Sequence, residues 1–408
     1  MRRVYLDNSA TTPIDPQVLA EMLPFFTEKF GNASSIHYFG QQTKAAVDRA
    51  RHQVAGLINA RPNDIIFTSG GTEANNLAIR GLIQSRHPRS IGERVSIRDE
   101  SVDFAIRPHV VTSAIEHPAV KNVCEDLEKQ GCEITYLPVY SDGIVRIDDV
   151  KAAVRENTVL ISVMFANNEI GTIQPVNEIG RFVRELKDQG KKIWFHTDAV
   201  QAAGKIAVDV EEIGCDMLSM SAHKLYAPKG IGALYIRRGT RLHPQSIGGR
   251  QERGIRGGTE PVPLIVAFGA ACEIAGTCLE SESIRLSELR NRLEQYILET
   301  IPDSTVNGSI DRRLPNVSNI SFRNAEGEGL LINLDMQGVA VSTGSACSSG
   351  SLEPSPVIRA VGRDEQLARG AIRFSLGRMS TGEDVDRVLE VLPAAVENVR
   401  RLAHRESK

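Results

Sequence analysis

Two side chains stand out for the chemistry they could do. Lys224 lies in Ser-Met-Ser-Ala-His-Lys-Leu-Tyr-Ala-Pro-Lys-Gly, residues 219–230. The apolar Met217-Leu218 step before it reads as the end of a buried strand, and a tight turn follows. A lysine held there cannot easily extend to water, so its proton affinity falls and its amine can form a Schiff base. The second is Cys347, in Ser-Thr-Gly-Ser-Ala-Cys-Ser-Ser-Gly-Ser, residues 342–351. That stretch has no large side chain to anchor it, so a mobile, accessible loop is expected. Free cysteine normally hides in cores, and one in such a loop reads as a nucleophile. The plainer alternatives are an awkward structural lysine and a tolerated surface cysteine. Cys124, Cys132, Cys215, Cys272 and Cys278 sit in apolar or helical contexts and read as structural.

Other polar residues gather where a ligand could be held. His117, Asn168, Asp198, Gln201, His223 and Lys224 each follow the carboxyl end of an expected strand. In open α/β sheets that edge binds ligands. Residues 64–73 read as a strand, a Gly70-Gly71 turn and a helix start, whose free N–H groups suit a phosphate. An ordinary strand-to-helix turn reads the same way. Arg373 interrupts an apolar strand and needs a carboxylate, either from the protein or from a substrate. Residues 247–259 are glycine-rich and basic, which suits a phosphate cradle or a subunit contact.

The elements that must position these residues alternate strand and helix from about residue 64 to 236. That alternation predicts an α/β fold, with a mostly parallel sheet and helices on both faces. Helices are expected at about 16–30, 41–57, 263–279 and 283–300. The expected division is a large domain over 15–262 and a smaller α+β domain from 1–14 and 263–408. The small domain carries the cysteine loop at about 342–352. Residues 86–107 are charged and aperiodic and read as an exposed insertion.

Composition excludes several classes. A net charge of −3 argues against a general nucleic-acid binder. No unbroken run of eighteen apolar residues occurs, so no membrane span is expected. The N-terminus has no apolar core after its arginines, so no signal peptide is expected. The six cysteines form no C-x-x-C pair, which points to reduced thiols and a cytoplasmic protein without a metal centre.

A Schiff-base lysine, an aspartate at a neighbouring strand end and a phosphate-binding helix start together suggest pyridoxal phosphate. The chain strongly resembles the cysteine desulfurases, in the housekeeping and nitrogen-fixation branch of the class-V, fold-type I pyridoxal-phosphate enzymes. The matching segments include Tyr5–Thr12, Gly70–Glu73, Glu116-His117, Asn167–Gly171, His196–Gln201, Ser221–Lys224, Arg256–Thr259, Gly344–Cys347 and Arg373–Gly377. The resemblance implies that Lys224 holds the cofactor and moves protons. It implies that Asp198 holds the ring nitrogen protonated, His117 stacks on the ring, and Gln201 bonds the ring hydroxyl. Gly71, Thr72, Ser221 and His223 would bind the phosphate, with Thr259 reaching the partner's phosphate in a homodimer. Asn8, Asn168 and Arg373 would hold the substrate carboxylate. Cys347 would take sulfur from L-cysteine as a persulfide, release alanine, and pass sulfur to an acceptor such as an iron–sulfur scaffold, with Cys347 a candidate ligand of a nascent cluster. Selenocysteine lyase and an aminotransferase of the same fold are the alternatives. The chain departs from the branch in its longer 86–107 segment and in ending at Lys408 without an extended acidic-aromatic tail.

Overall fold

The computed structural model describes residues 2–86, 107–344 and 353–406. Among them are twelve strands: β1 (Val4–Tyr5), β2 (Ile65–Thr68), β3 (His109–Ser113), β4 (Glu133–Leu137), β5 (Thr158–Ser162), β6 (Trp194–Asp198), β7 (Met217–Ser221), β8 (Gly232–Ile236), β9 (Ser304–Val306), β10 (Val317–Phe322), β11 (Val339–Ala340) and β12 (Ala371–Ser375). Seven of them form one sheet in the order β2-β8-β7-β6-β5-β3-β4. Only β8 runs against its neighbours, β2 and β7. A three-stranded antiparallel sheet, β12-β10-β9, and the parallel pair β1-β11 complete the set.

Strand alternation places the large sheet between two apolar layers. Ile66, Val110, Leu160, Met217 and Leu234 share one cluster with the helices Gly71–Arg86 and Pro118–Lys129. The intervening Phe67, Val111, Ile161, Leu218 and Tyr235 turn to the other face and pack with the helix Tyr38–Leu57 and the start of the helix at Val262. Polar residues within the strands are satisfied across the sheet. His196 on β6 lies between Ser162 (2.9 Å) and Ser219 (3.0 Å), and burial lowers its pKa to about 3. A separate cluster joins Val4 and Leu6 to Leu293, Ile320, Phe374 and Val388.

Two helix expectations are corrected. The segment expected as one helix over 16–30 forms Pro16–Met22 and Pro24–Thr27. Pro24 has no N–H to continue the first helix. The two helices expected at 263–279 and 283–300 are one, Val262–Thr300, of 39 residues. The polar stretch 280–283 holds no glycine or proline, so nothing interrupts the backbone ladder. By length and composition this helix could cross a membrane, but 56% of its most apolar window is buried within the protein. It lies close against the helix Tyr38–Leu57, where a Cβ on Gly269 would come 2.6 Å from Ala50 Cα.

Candidate active site

The sheet edge gathers most of the residues singled out above around one cavity of about 430 Å³. Strand β7 ends at Ser221 and passes into a single 3₁₀ turn, Ala222–Lys224. The Lys224 Nζ donates to the carbonyls of Ser9 and Ala10, the latter at 2.5 Å. The N-terminal segment therefore lies across the lysine turn. Thr12 pins it there, its N and Oγ1 both donating to His223 O at 3.1 and 3.0 Å. The same hydroxyl accepts from Tyr226 N at 2.9 Å, holding Tyr226 at a φ of 62°. A left-handed tyrosine costs strain, so the turn depends on these bonds.

Asp198, at the end of β6, is 6% exposed. Its Oδ2 accepts from Asn75 Nδ2 at 2.6 Å and its Oδ1 from Val200 N at 3.0 Å. Asn75 lies in the first turns of the helix Gly71–Arg86, so the aspartate is tied to the element that opens the anion site. His117 caps the helix Pro118–Lys129, its Nδ1 accepting from Ala119 N at 3.1 Å. The neutral ring must then carry its proton on Nε2. Burial lowers the His117 pKa; Asp198 opposes this and Lys224 adds to it.

At the other end, Gly71 begins the helix Gly71–Arg86. A Cβ there would sit 2.8 Å from Val200 Cγ2, so only glycine lets the chain pass. Thr72, Ser221 and His223 line the cavity beside it. His223 is pushed down to about 4 by burial and then by Lys224, Lys229 and Lys205. It therefore meets an anion as a neutral hydrogen-bonding group, and the helix N-terminus supplies the positive field.

Arg373 and Asn168 line the same cavity. Arg373 is 2% exposed and pairs with Asp7 at 2.7 Å, so a protein carboxylate meets the need read from the sequence. Its second arm donates to Asn168 O at 2.8 Å, and its Nε has no partner. Asn8 does not reach this cavity. Its Nδ2 donates to Ser375 O at 2.9 Å, and it borders a smaller adjoining cavity. Thr259 is exposed and lines none of its own chain's cavity. Gln201 lines it with its amide fixed at both ends. Cys347 lies outside the described residues, as do residues 87–106 of the expected insertion. Gly344, shortly before the cysteine, lines the cavity. Of the other cysteines, Cys124, Cys132, Cys215 and Cys272 are buried, and burial raises their pKa values.

Sequence reasoning missed Asn75, the carbonyls of Ser9 and Ala10, and the carboxyl of Glu116. Glu116 is fully enclosed, accepting from Ser113 Oγ at 2.6 Å and Met164 N at 2.9 Å. Burial pushes it up to about 8, against those bonds and with help from Asp198. The local signal for Asn75 was its place in the turn after Thr72; the others had none.

The donor set fits pyridoxal phosphate. It offers a carboxylate for a ring nitrogen, an imidazole at the cavity wall, an amine for an aldehyde, and a helix N-terminus for a phosphate. The buried, unpartnered Nε of Arg373 is further capacity for an anion.

Comparison with known proteins agrees. The model of the aminotransferase class-V family matches residues 4–388. A cysteine desulfurase IscS of Dictyoglomus turgidum is 48% identical over 98% of this chain and 96% of that protein. A cysteine desulfurase of a Nostoc species is 47% identical over 99% and 95%. Among solved structures, a NifS-like protein superposes with a TM-score of 0.86 at 35% identity, covering 97% of this chain and all of that one. The chain belongs to the class-V aminotransferase family, among its pyridoxal-phosphate-dependent cysteine desulfurases.

Proposed function

We propose that this chain converts L-cysteine to L-alanine, with Lys224, Asp198 and His117 at the cofactor and Cys347 as sulfur acceptor. The observation that carries the reading is the convergence of the Lys224 amine, Asp198 and the helix start at Gly71 on one cavity. Pyridoxal phosphate, when bound, supplies an electron sink next to the substrate's reacting carbons. Asp198 holds a proton on the ring nitrogen, and Asn75 holds Asp198 in place. His117 would pack against the ring, and Gln201 would donate to the ring hydroxyl oxygen. Gly71, Thr72, Ser221 and His223 bind the phosphate. Lys224 Nζ takes the substrate Cα proton and delivers a proton to the product. Arg373 and Asn168 orient the substrate carboxylate, whereas Asn8 supports the backbone behind them.

The Cys347 thiol loses its proton and attacks the substrate's sulfur. The new S–S bond forms as the Cβ–S bond breaks. The electron pair of that bond stays with Cβ, which takes up a proton, and alanine leaves while Cys347 keeps the sulfur as a persulfide. Gly344 at the cavity wall supports delivery of this segment to the site. The persulfide then passes to an acceptor thiol, an iron–sulfur scaffold being the acceptor class the family suggests. The exposure of Thr259 supports its use on a partner subunit's phosphate in a homodimer. The shared cluster of Val4 and Leu6 with residues from 286 onward supports a small domain built from both chain ends. The described cysteines are free thiols, which suits a reducing compartment such as the cytoplasm.

The test is alanine formed from L-cysteine by wild type and Cys347→Ala, with a thiol reductant present. Alanine from wild type alone supports the reading. Equal alanine from both would remove Cys347 from the chemistry and favour a lyase acting on selenocysteine.

A further inference from the structure

Lys205 follows the Asp198–Gln201 turn and has no part in the chemistry set out above. Its Nζ donates to Gln201 Oε1 at 2.7 Å. Gln201 Nε2 donates to Ser9 O at 3.0 Å, and the same carbonyl accepts from Lys224 Nζ. A backbone carbonyl only accepts, and an ammonium only donates. The two contacts therefore orient the amide the same way, oxygen to Lys205 and nitrogen towards the segment above the cavity. Gln201 is 5% exposed and lines that cavity, so its second N–H is left for a ligand.

The charged groups around Lys205 come from several elements. Lys224 lies on the turn after β7 and Arg373 on β12. Glu282 and Arg378 face it across a cavity of about 30 Å³. Among the described residues no carboxylate lies within ion-pair distance of Lys205. Burial first, then Lys224 and Arg373, lower its pKa to about 7.

We propose that Lys205 is a positioning residue for the cofactor's ring oxygen: it holds Gln201 Oε1 so that Nε2 is a fixed donor to that oxygen. The inference rests on the Gln201 assignment made under the proposed function. A fixed donor favours the deprotonated ring hydroxyl. Loss of Lys205 should therefore raise the pH midpoint of the bound cofactor's visible absorption change.

The experiment titrates that absorption in the cofactor-loaded wild type, Lys205→Met, Lys205→Arg and Gln201→Leu, with cofactor content and thermal unfolding measured alongside. The expected result is a midpoint about one unit higher in Lys205→Met and Gln201→Leu. Lys205→Arg should stay at the wild-type midpoint, because it keeps a donor to Gln201 Oε1. A wild-type midpoint in Lys205→Met, with cofactor bound, overturns the proposal. So does Lys205→Arg moving as far as Lys205→Met. If Gln201→Leu does not move, the Gln201 assignment fails and takes the proposal with it. If Gln201→Leu moves and Lys205→Met does not, only the role of Lys205 fails. Should Lys205→Met not fold, Lys205→Leu likewise leaves Gln201 Oε1 without its donor, and its midpoint must fall above the wild type's for the proposal to stand. Alanine formation by the wild type is scored separately and decides the desulfurase reading alone.

Discussion

Asp198 shows how one residue's role depends on what surrounds it. Its two oxygens are held by Asn75 and Val200, so it cannot swing away from the cavity. Replacing it by alanine should leave the fold intact and lower turnover by about 10²-fold or more. Near-normal turnover in a folded Asp198→Ala protein would sink the ring-nitrogen role. Glu116 makes a prediction of the opposite kind. Its folded pKa, about 8, lies above the ordinary value of 4.5. The folded state therefore holds a proton that the unfolded state has lost between those values. Its contribution to stability is complete below pH 4.5 and disappears as pH rises through 8. Glu116→Gln mimics the protonated form, with its oxygen free to accept from Ser113 and Met164. The variant should lie within about 1 kcal/mol of wild type near pH 5 and gain about 4 kcal/mol on it by pH 9, read from denaturant unfolding at both values. Equal pH profiles would mean that Glu116 is ionised in the native protein.

At the scale of elements, the helix Val262–Thr300 does what two separate helices would not. Its first half packs in the cluster that covers the large sheet, through Ile265 and Phe268. Its second half packs Leu293 and Ile297 with the cluster that contains β10 and β12 residues. A proline at Ser283, between the two halves, removes a ladder hydrogen bond and should cost about 3 kcal/mol or more. Ser283→Pro should therefore melt several degrees lower, and an unchanged melting temperature would show that the joint does not need a continuous helix. The lysine turn is the second element-scale case. Thr12 holds both His223 and Tyr226, so Thr12→Val leaves the N–H of the left-handed Tyr226 without its acceptor. The expected outcome is weaker cofactor retention through gel filtration with little change in the far-ultraviolet spectrum. Retention equal to wild type would place the stability of the turn elsewhere.

At the scale of the molecule, the glycine-rich segment around Thr259 is the part that does not serve its own cavity. Glu73 ties it to the anion-site helix through Arg256 at 2.9 Å. Glu252 ties it to the sheet, pairing with Arg51 at 2.6 Å and accepting from Phe67 N at 3.0 Å. A segment held this firmly at its base can present Thr259 to a second copy. If a second copy uses Thr259, Thr259→Ala should lower cofactor retention, and dilution of the wild type should do the same. If neither changes cofactor content, the cross-subunit contact is wrong.

The sequence alone determined the kinds of element, their order and most of the cavity's side chains. Strand and helix periodicities are local, and the polar residues after strand ends share one edge in any sheet of this class. Lys224, Asp198, His117, Asn168, Gln201 and His223 could be read in that way, and Arg373 as a charge set within an apolar strand. The tertiary structure decided what depends on register and on segments distant in the chain. It brought Asn75 to Asp198, set the carbonyls of Ser9 and Ala10 over Lys224, and turned Asn8 onto Ser375. It also enclosed Glu116 and left Lys205 bonded to Gln201. No local pattern encodes these contacts, because each joins groups whose meeting depends on how whole elements pack.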